Sequence, residues 1–258
     1  MRFDPPLVCG RFIRRYKRFF AEISLPDGER VIAHCTNTGA LRGCLIPGAP
    51  ALIEPAANPR RKLAWTWVAI EVDGCWVGVD TGKAEVLVAE AIDAGMIPQL
   101  AGFTRRWRQV PYGAAGRSRV DLLLSRGGRA IAGAGRVDRQ GDARVYVEVK
   151  NTTLVYQTGE DPRAAGRRLA AFPDAVTERG RKHLHELQHV VTQEGQRAAL
   201  VLCVQRSDCD AFAPADAIDP AWGSAARAAV AAGVEVYALC GAFAPAGITL
   251  DRRLPIEL

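Results

Sequence analysis

The chain has 258 residues, 48% of them hydrophobic, and a formal charge of +6. That length and apolar content supply the core of one large or two small domains and exclude a disordered chain. Seven cysteines at irregular spacings, with no C-x-x-C pair, argue against a disulfide scaffold and a zinc ribbon. No 18-residue apolar run and no signal-peptide pattern occur, so a cytoplasmic protein with reduced thiols, no membrane partner and no disulfide partner is expected. The basic excess, in which arginine far outnumbers lysine, points to a polyanionic partner.

Residues 9–25 mix strand formers with basic side chains, and Pro26-Asp27-Gly28 turns the chain into a returning strand over 29–35. Arg14, Arg15, Lys17 and Arg18 are interleaved with Tyr16, Phe19 and Phe20. Guanidinium and ammonium groups meet phosphates, and rings stack on bases, so this pattern suits a nucleic-acid groove. An edge strand whose arginines discourage aggregation has the same composition. Asn37-Thr38-Gly39 and Pro47-Gly48 punctuate a loop-rich stretch able to turn N–H groups toward an anion. Arg60, Arg61 and Lys62 form a second basic loop. Then residues 65–72, Asp73-Gly74 and 75–79 make a β-hairpin. Residues 1–80 therefore read as a small barrel, and a five-stranded OB-like barrel fits.

Residues 83–94 read as a helix closed by Gly95, with Glu85 and Glu90 as its inward acids. A basic strand over 103–110 follows, then an apolar strand over 118–124 carrying Asp121. A Gly/Arg-rich loop spans 126–144. The strand Val145-Tyr146-Val147-Glu148-Val149-Lys150 comes next. Residues two apart on a strand share a face, so Glu148 and Lys150 point together. Burying them requires a partner, and Asp121 on a neighbouring strand would supply a second carboxylate. Two carboxylates suit a hard cation such as Mg or Mn, and the lysine can orient water or offset phosphate charge. An ion pair at a strand end is the structural alternative.

Residues 156–171 read as a polar loop. Asp174 is expected to cap a helix running to Glu194, with Gly195 as its stop. Residues 198–204 read as an interior parallel strand, 219–232 as a helix, 234–239 as the last core strand and 248–258 as edge structure. This alternation of helices and strands is an α/β layout. His185-Glu186-Leu187-Gln188-His189 matches H-E-x-x-H, but no histidine follows to complete a zinc site, and an exposed helix face explains it. His34 with Cys35 and Cys44 also falls short of four ligands. Lys182 and His183 either face the Glu148 strand or simply cover the sheet.

The segments Arg14-Arg15-Tyr16-Lys17-Arg18-Phe19, His34-Cys35-Thr36-Asn37-Thr38-Gly39, Asn58-Pro59-Arg60-Arg61-Lys62-Leu63, Val147-Glu148-Val149-Lys150-Asn151 and Phe172-Pro173-Asp174-Ala175-Val176-Thr177-Glu178-Arg179-Gly180 keep their order along the chain. They resemble the sugar fermentation stimulation protein A family. The resemblance implies an N-terminal OB-like β-barrel over 1–80 and a restriction-endonuclease-like, PD-(D/E)xK, α/β domain over 81–258. It implies DNA binding without marked sequence preference and a regulatory link to sugar (maltose) utilisation. By position, Asp121, Glu148 and Lys150 match the nuclease-like triad, and Glu90 the acid of the preceding helix. Asp121, Glu148 and Glu90 would hold Mg or Mn. The DNA contacts fall to Arg14, Arg15, Lys17, Arg18, Arg60, Arg61, Lys62, Arg119 and Lys182. An active Mg- or Mn-dependent deoxyribonuclease is the second expectation, and a sugar- or protein-binding module the third. The oligomeric state is left open.

Overall fold

A computed structural model describes residues 1–113, 118–127, 130–131, 136–137 and 143–258. Six strands fill the first part: β1 (Val8–Tyr16), β2 (Phe20–Ser24), β3 (Arg30–His34), β4 (Pro50–Pro55), β5 (Trp65–Val72) and β6 (Cys75–Gly78). They pair in the order β3-β2-β1-β4-β5-β6, and a short parallel pairing of β3 with β5, Ala33↔Trp65 and His34↔Thr66, closes the first five into a barrel. This is the OB architecture expected. Its interior holds Phe12 stacked on Trp67, with ring centroids 4.9 Å apart, among Ile23, Leu41, Ile53 and Ile70. One sequence expectation fails in detail. Residues 9–25 are not a single strand, because the chain reverses at Lys17 and Arg18, both in the left-handed region with φ of 47° and 61°.

The second part opens with α1 (Thr81–Asp93), whose N-cap Asp80 accepts from the Gly82 N–H at 3.0 Å. Then come β7 (Arg105–Tyr112), β8 (Ser118–Ser125), the short pair β9 (Ala130–Ile131) and β10 (Arg136–Val137), β11 (Arg144–Thr152), β12 (Leu154–Tyr156) and β13 (Leu169–Phe172). The chain finishes with α2 (Glu178–Glu194), β14 (Arg197–Val204), β15 (Ala211–Pro214), α3 (Pro220–Ala231), β16 (Glu235–Ala244) and β17 (Gly247–Leu254). The main sheet has the order β17-β16-β14-β11-β8-β7. Its centre, β11-β14-β16, is parallel. That explains the unbroken apolar runs of β11 and β14, which are covered on both faces. Val145, Val147, Ala199 and Val201 meet α1, whereas Tyr146, Ala198, Leu200 and Leu202 meet α2 and α3.

Two expectations are corrected here. The stretch 156–171 is not simply loop: β13 joins β12 and β15 in a three-stranded sheet with its own core of Leu154, Tyr156, Leu169 and Ala211. Strands of three and four residues carry too little periodicity to be read in advance. Asp174 does not cap α2. Thr177 does, accepting from the Gly180 N–H at 3.0 Å, while Asp174 accepts the Leu41 N–H of the barrel at 2.7 Å. The Gly/Arg-rich stretch 126–144 lies largely outside the described residues.

Barrel and sheet share one core, in which Phe3, Leu7, Leu52, Val68 and Ala69 pack with α1 and the inner strands. Gln205, fully buried at the seam, carries polar contacts across it. Its carbonyl accepts from the Gly78 N–H at 2.8 Å, and its amide donates to the Asp80 carbonyl at 3.2 Å and to Asn151 Oδ1 at 2.7 Å. Gln205→Ala is expected to cost about 1–3 kcal/mol by stranding those acceptors, lowering the midpoint by roughly 2–4 °C per kcal/mol. Calorimetry should show one transition, shifted as a unit; two separated transitions would refute a shared core.

Candidate functional site

The site forms where a β-ladder stops short. β11 pairs with β14 through to Thr152↔Val204 but with β8 only as far as Val147↔Leu122. The Val149 N–H therefore has no strand partner on the β8 side, and the carboxylate of Asp121 takes that place, Oδ2 accepting it at 2.7 Å. The other oxygen, Oδ1, accepts from the amide of Gln109 at 3.1 Å. The same amide donates to Glu85 Oε2 at 2.8 Å. Gln109 stands on β7 opposite Asp121 with φ of 53°, where the β7–β8 pairing skips a step. Arg119 steadies that residue by donating to the Gln109 carbonyl at 2.5 Å.

Glu148, 1% exposed, lies on the α2 face of β11. Its Oε1 meets both Lys150 Nζ and His183 Nδ1, and those two nitrogens are 3.2 Å apart. Its Oε2 is buried with no partner. Burial alone would raise this carboxyl, yet the Lys150 charge and the hydrogen bond to His183 together hold it below the usual range. Asp121 behaves oppositely: burial, reinforced by the negative charge of Glu148, pushes it up to about 6. Deeper in, the Tyr112 hydroxyl and Glu186 Oε2 are also buried without partners.

Asp121 and Lys150, but not the buried Glu148, border a cleft of about 790 Å³ between barrel and sheet. Glu85, Gln109, Asp121 and Lys150 form one wall; Arg15, Arg18 and residues 37–40 form the other. Glu90 is absent from it. On α1 it is five residues, about 140°, around from Glu85, and its half-exposed carboxylate binds the Met1 amino group at 2.7 Å. The helix acid at the cleft is Glu85, so the expectation for Glu90 is corrected.

The basic residues divide in two. Arg15 donates to the carbonyls of Arg18, Asn37 and Gly39 at 2.7–2.9 Å, and Arg61 to those of Leu63 and Trp65 and to the Thr66 hydroxyl. Arg14 pairs with Glu22 at 2.7 Å. Arg15 and Arg61 brace the barrel, whereas Arg14 stays exposed beside Glu22. Lys17, Arg18, Arg60 and Lys62 are exposed. Lys182 points outward, 3.7 Å from Glu186, whereas His183 turns inward. His183 shares a face with Leu184, Leu187 and Val190, a periodicity visible in the sequence.

The rival metal sites do not form. His185 is exposed and contacts Gln188 at 3.2 Å, while Glu186 between the histidines turns toward Gly113. Cys35 and Cys44 are buried, which pushes both thiols up, Cys44 to about 11, away from the thiolate a metal needs. Among the described residues no three His, Cys, Asp or Glu side chains are grouped to hold a metal. Asp121 and Glu148 remain as a pair with one orphaned buried oxygen, which fits a hard cation that keeps several waters.

Two family profiles match the chain: "SfsA N-terminal OB domain" over residues 13–79 and "Sugar fermentation stimulation protein RE domain" over 82–247. A sugar fermentation stimulation protein homolog of Thioalkalivibrio sulfidiphilus is 45% identical across 100% of this chain and 98% of its own length. One from Alkalilimnicola ehrlichii is 46% identical across 100% and 99%. The structure of Pyrococcus furiosus SfsA, described as in complex with Ca2+, superposes with a TM-score of 0.80 at 26% identity, covering 100% of this chain and 98% of the other.

The raised Asp121 has a consequence for stability. An acid whose folded pKa of about 6 exceeds its unfolded value near 3.8 binds its proton more tightly when folded. Its ionisation therefore weakens the fold as pH rises from about 4 through 6. Asp121→Asn removes that loss, so the stability of the variant relative to the parent should grow by roughly 1–3 kcal/mol between pH 4 and pH 7. Urea unfolding of both at several pH values checks it; a difference constant with pH would refute the burial of this charge.

Proposed function

The chain belongs to the sugar fermentation stimulation protein family, and from that premise we propose that it binds DNA across the barrel–sheet cleft and hydrolyses a phosphodiester there with a divalent cation. The observation that carries this reading is that Asp121 and Lys150 line a cleft whose opposite wall is basic, with the buried Glu148 held against Lys150. Exposed Lys17, Arg18, Arg60 and Lys62 supply the cations that neutralise phosphates. Asp121 and Glu148 would hold Mg or Mn, and the Ca2+ complex of the Pyrococcus furiosus relative supports divalent-ion binding. When bound, the ion would activate water and offset charge on the phosphate.

The protein groups then have separable tasks. The Val149 N–H fixes Asp121, and Gln109 keeps its second oxygen turned toward Glu85. His183 orients Glu148 through one oxygen, leaving the other available. Lys150 Nζ, partly exposed to the cleft, can donate to a phosphate oxygen or to the attacking water. A DNA-directed activity in the cytoplasm is the route by which such a protein would influence sugar fermentation.

Incubation of supercoiled DNA with Mg, Mn or EDTA tests this. Cutting should require the metal and fall at least about 100-fold in Asp121→Ala and in Glu148→Gln. Binding in EDTA should survive both changes, with log K falling against log salt at a slope of about −3 to −4 for four phosphate contacts. Cutting retained by both variants would refute the site. Binding without cutting would reduce the protein to a DNA-binding module, and a flat salt dependence would exclude DNA altogether.

A further inference from the structure

The tip between β1 and β2 is built at a conformational cost. Tyr16 pairs with Phe20, so the loop is Lys17, Arg18 and Phe19, and its first two residues lie in the left-handed region that favours Gly and Asn. Bulky side chains are disfavoured in the left-handed region, so this turn is strained. What the strain achieves is display. Phe19, the next residue, is 47% exposed, and among the described residues it is the one aromatic side chain left in the open.

The Phe19 main chain is also held in place. Its N–H bonds the Lys17 carbonyl at 2.8 Å, and its carbonyl accepts from the Cys35 N–H at 2.8 Å. The Arg18 carbonyl is gripped by Arg15, which simultaneously grips the loop at Asn37 and Gly39. That loop is tied across the cleft by the Leu41 N–H to Asp174. The tip is thus fixed relative to the wall that carries Asp121 and Lys150, and Arg18 itself lines the cleft. Folding gains nothing from holding a phenyl ring in water. A base stacked on it would cover it, and stacking of this kind is available only to a base that is free of its own duplex stack.

Resting on the proposed DNA-binding reading, we infer that Phe19 is a stacking platform and that the substrate of the cleft is nucleic acid with unpaired bases next to the cut: single strands, overhangs or junctions. Lys17 and Arg18 hold the flanking phosphates, and Phe19 takes the first unpaired base.

Fluorescence anisotropy in EDTA tests this with a labelled single-stranded 20-mer, a blunt duplex of the same sequence and a duplex with a single-stranded overhang. The parent should bind the single strand and the overhang about tenfold more tightly than the blunt duplex. Phe19→Ala should remove that preference, weakening the unpaired substrates about tenfold while leaving the blunt duplex unchanged, and Phe19→Trp should keep it. Lys17→Ala combined with Arg18→Ala should weaken all three alike and flatten the salt slope by about 2. The ring is exposed, so Phe19→Ala should melt with the parent. Equal losses on all three substrates in Phe19→Ala, or none, would overturn the inference while the proposed function stood. Failure of the parent to bind any of the three would overturn both.

Discussion

The structure depends on one carboxylate standing in for a strand. Where β8 diverges from β11, Asp121 accepts the Val149 N–H that the ladder leaves over. A buried backbone donor cannot go unpaired without a cost of about 1–3 kcal/mol, so the sheet needs an acceptor at that point. Using an acid there brings a charge within reach of Glu148, and the fold then has to contain two carboxylates in one place. It does so unequally. Glu148 is held ionised by Lys150 and His183, whereas Asp121 is left with amide donors and is pushed toward protonation. That imbalance is the basis on which a cation is proposed at the pair.

The cleft persists because its two walls cannot move apart freely. Asp174 takes the Leu41 N–H, and the Arg42 guanidinium donates to the Asp174 carbonyl at 3.0 Å. On the far side of the seam, Gln205 ties Gly78 and Asp80 to Asn151. Gly39 and Gly78 are glycines for this reason. A Cβ at Gly39 would fall 2.6 Å from Asp174 Oδ1, and one at Gly78 2.5 Å from Gln205 Oε1. Barrel and sheet are therefore docked side chain against backbone, with an apolar core beneath.

Much of this was legible beforehand, and the failures have local causes. The barrel announced itself through turn chemistry such as Asp73-Gly74, and the α/β part through helix stops at Gly95 and Gly195. Asp121, Glu148 and Lys150 were readable because a charge in an apolar strand is conspicuous. Resemblance pointed to Glu90, although Glu85 and Glu90 lie about 140° apart on α1 and cannot both face the cleft; Glu85 faces it, and Glu90 holds the Met1 amino group. Gln109 gave no signal at all: a glutamine in a basic strand looks like any edge residue, and its left-handed backbone is set by partners 10–24 positions distant in sequence. The arginines misled in the other direction. A guanidinium that meets three carbonyls, as Arg15 does, has the same letter as one that meets phosphate, and the difference lies wholly in loops that the sequence does not fold.

Backbone strain gives an independent pointer to the same region. Among the described residues, five non-glycine residues have positive φ: Lys17, Arg18, Leu41, Asp73 and Gln109. Asp73 belongs to an ordinary Asp-Gly hairpin. The rest gather around the cleft, and for three of them the contact that enforces the conformation is identifiable. Arg15 holds the Arg18 carbonyl, Arg119 holds the Gln109 carbonyl, and Asp174 holds the Leu41 N–H. Strained residues persist only where surrounding contacts over-determine them, and they concentrate where geometry serves something other than stability. If the Asp121–Glu148 pair were a mere strand-end ion pair, relaxed turns would serve the fold better. Strained backbone and repelling carboxylates converge around one cleft, with an exposed ring on the residue next to its Arg18, and that is the pattern of a surface shaped for a ligand.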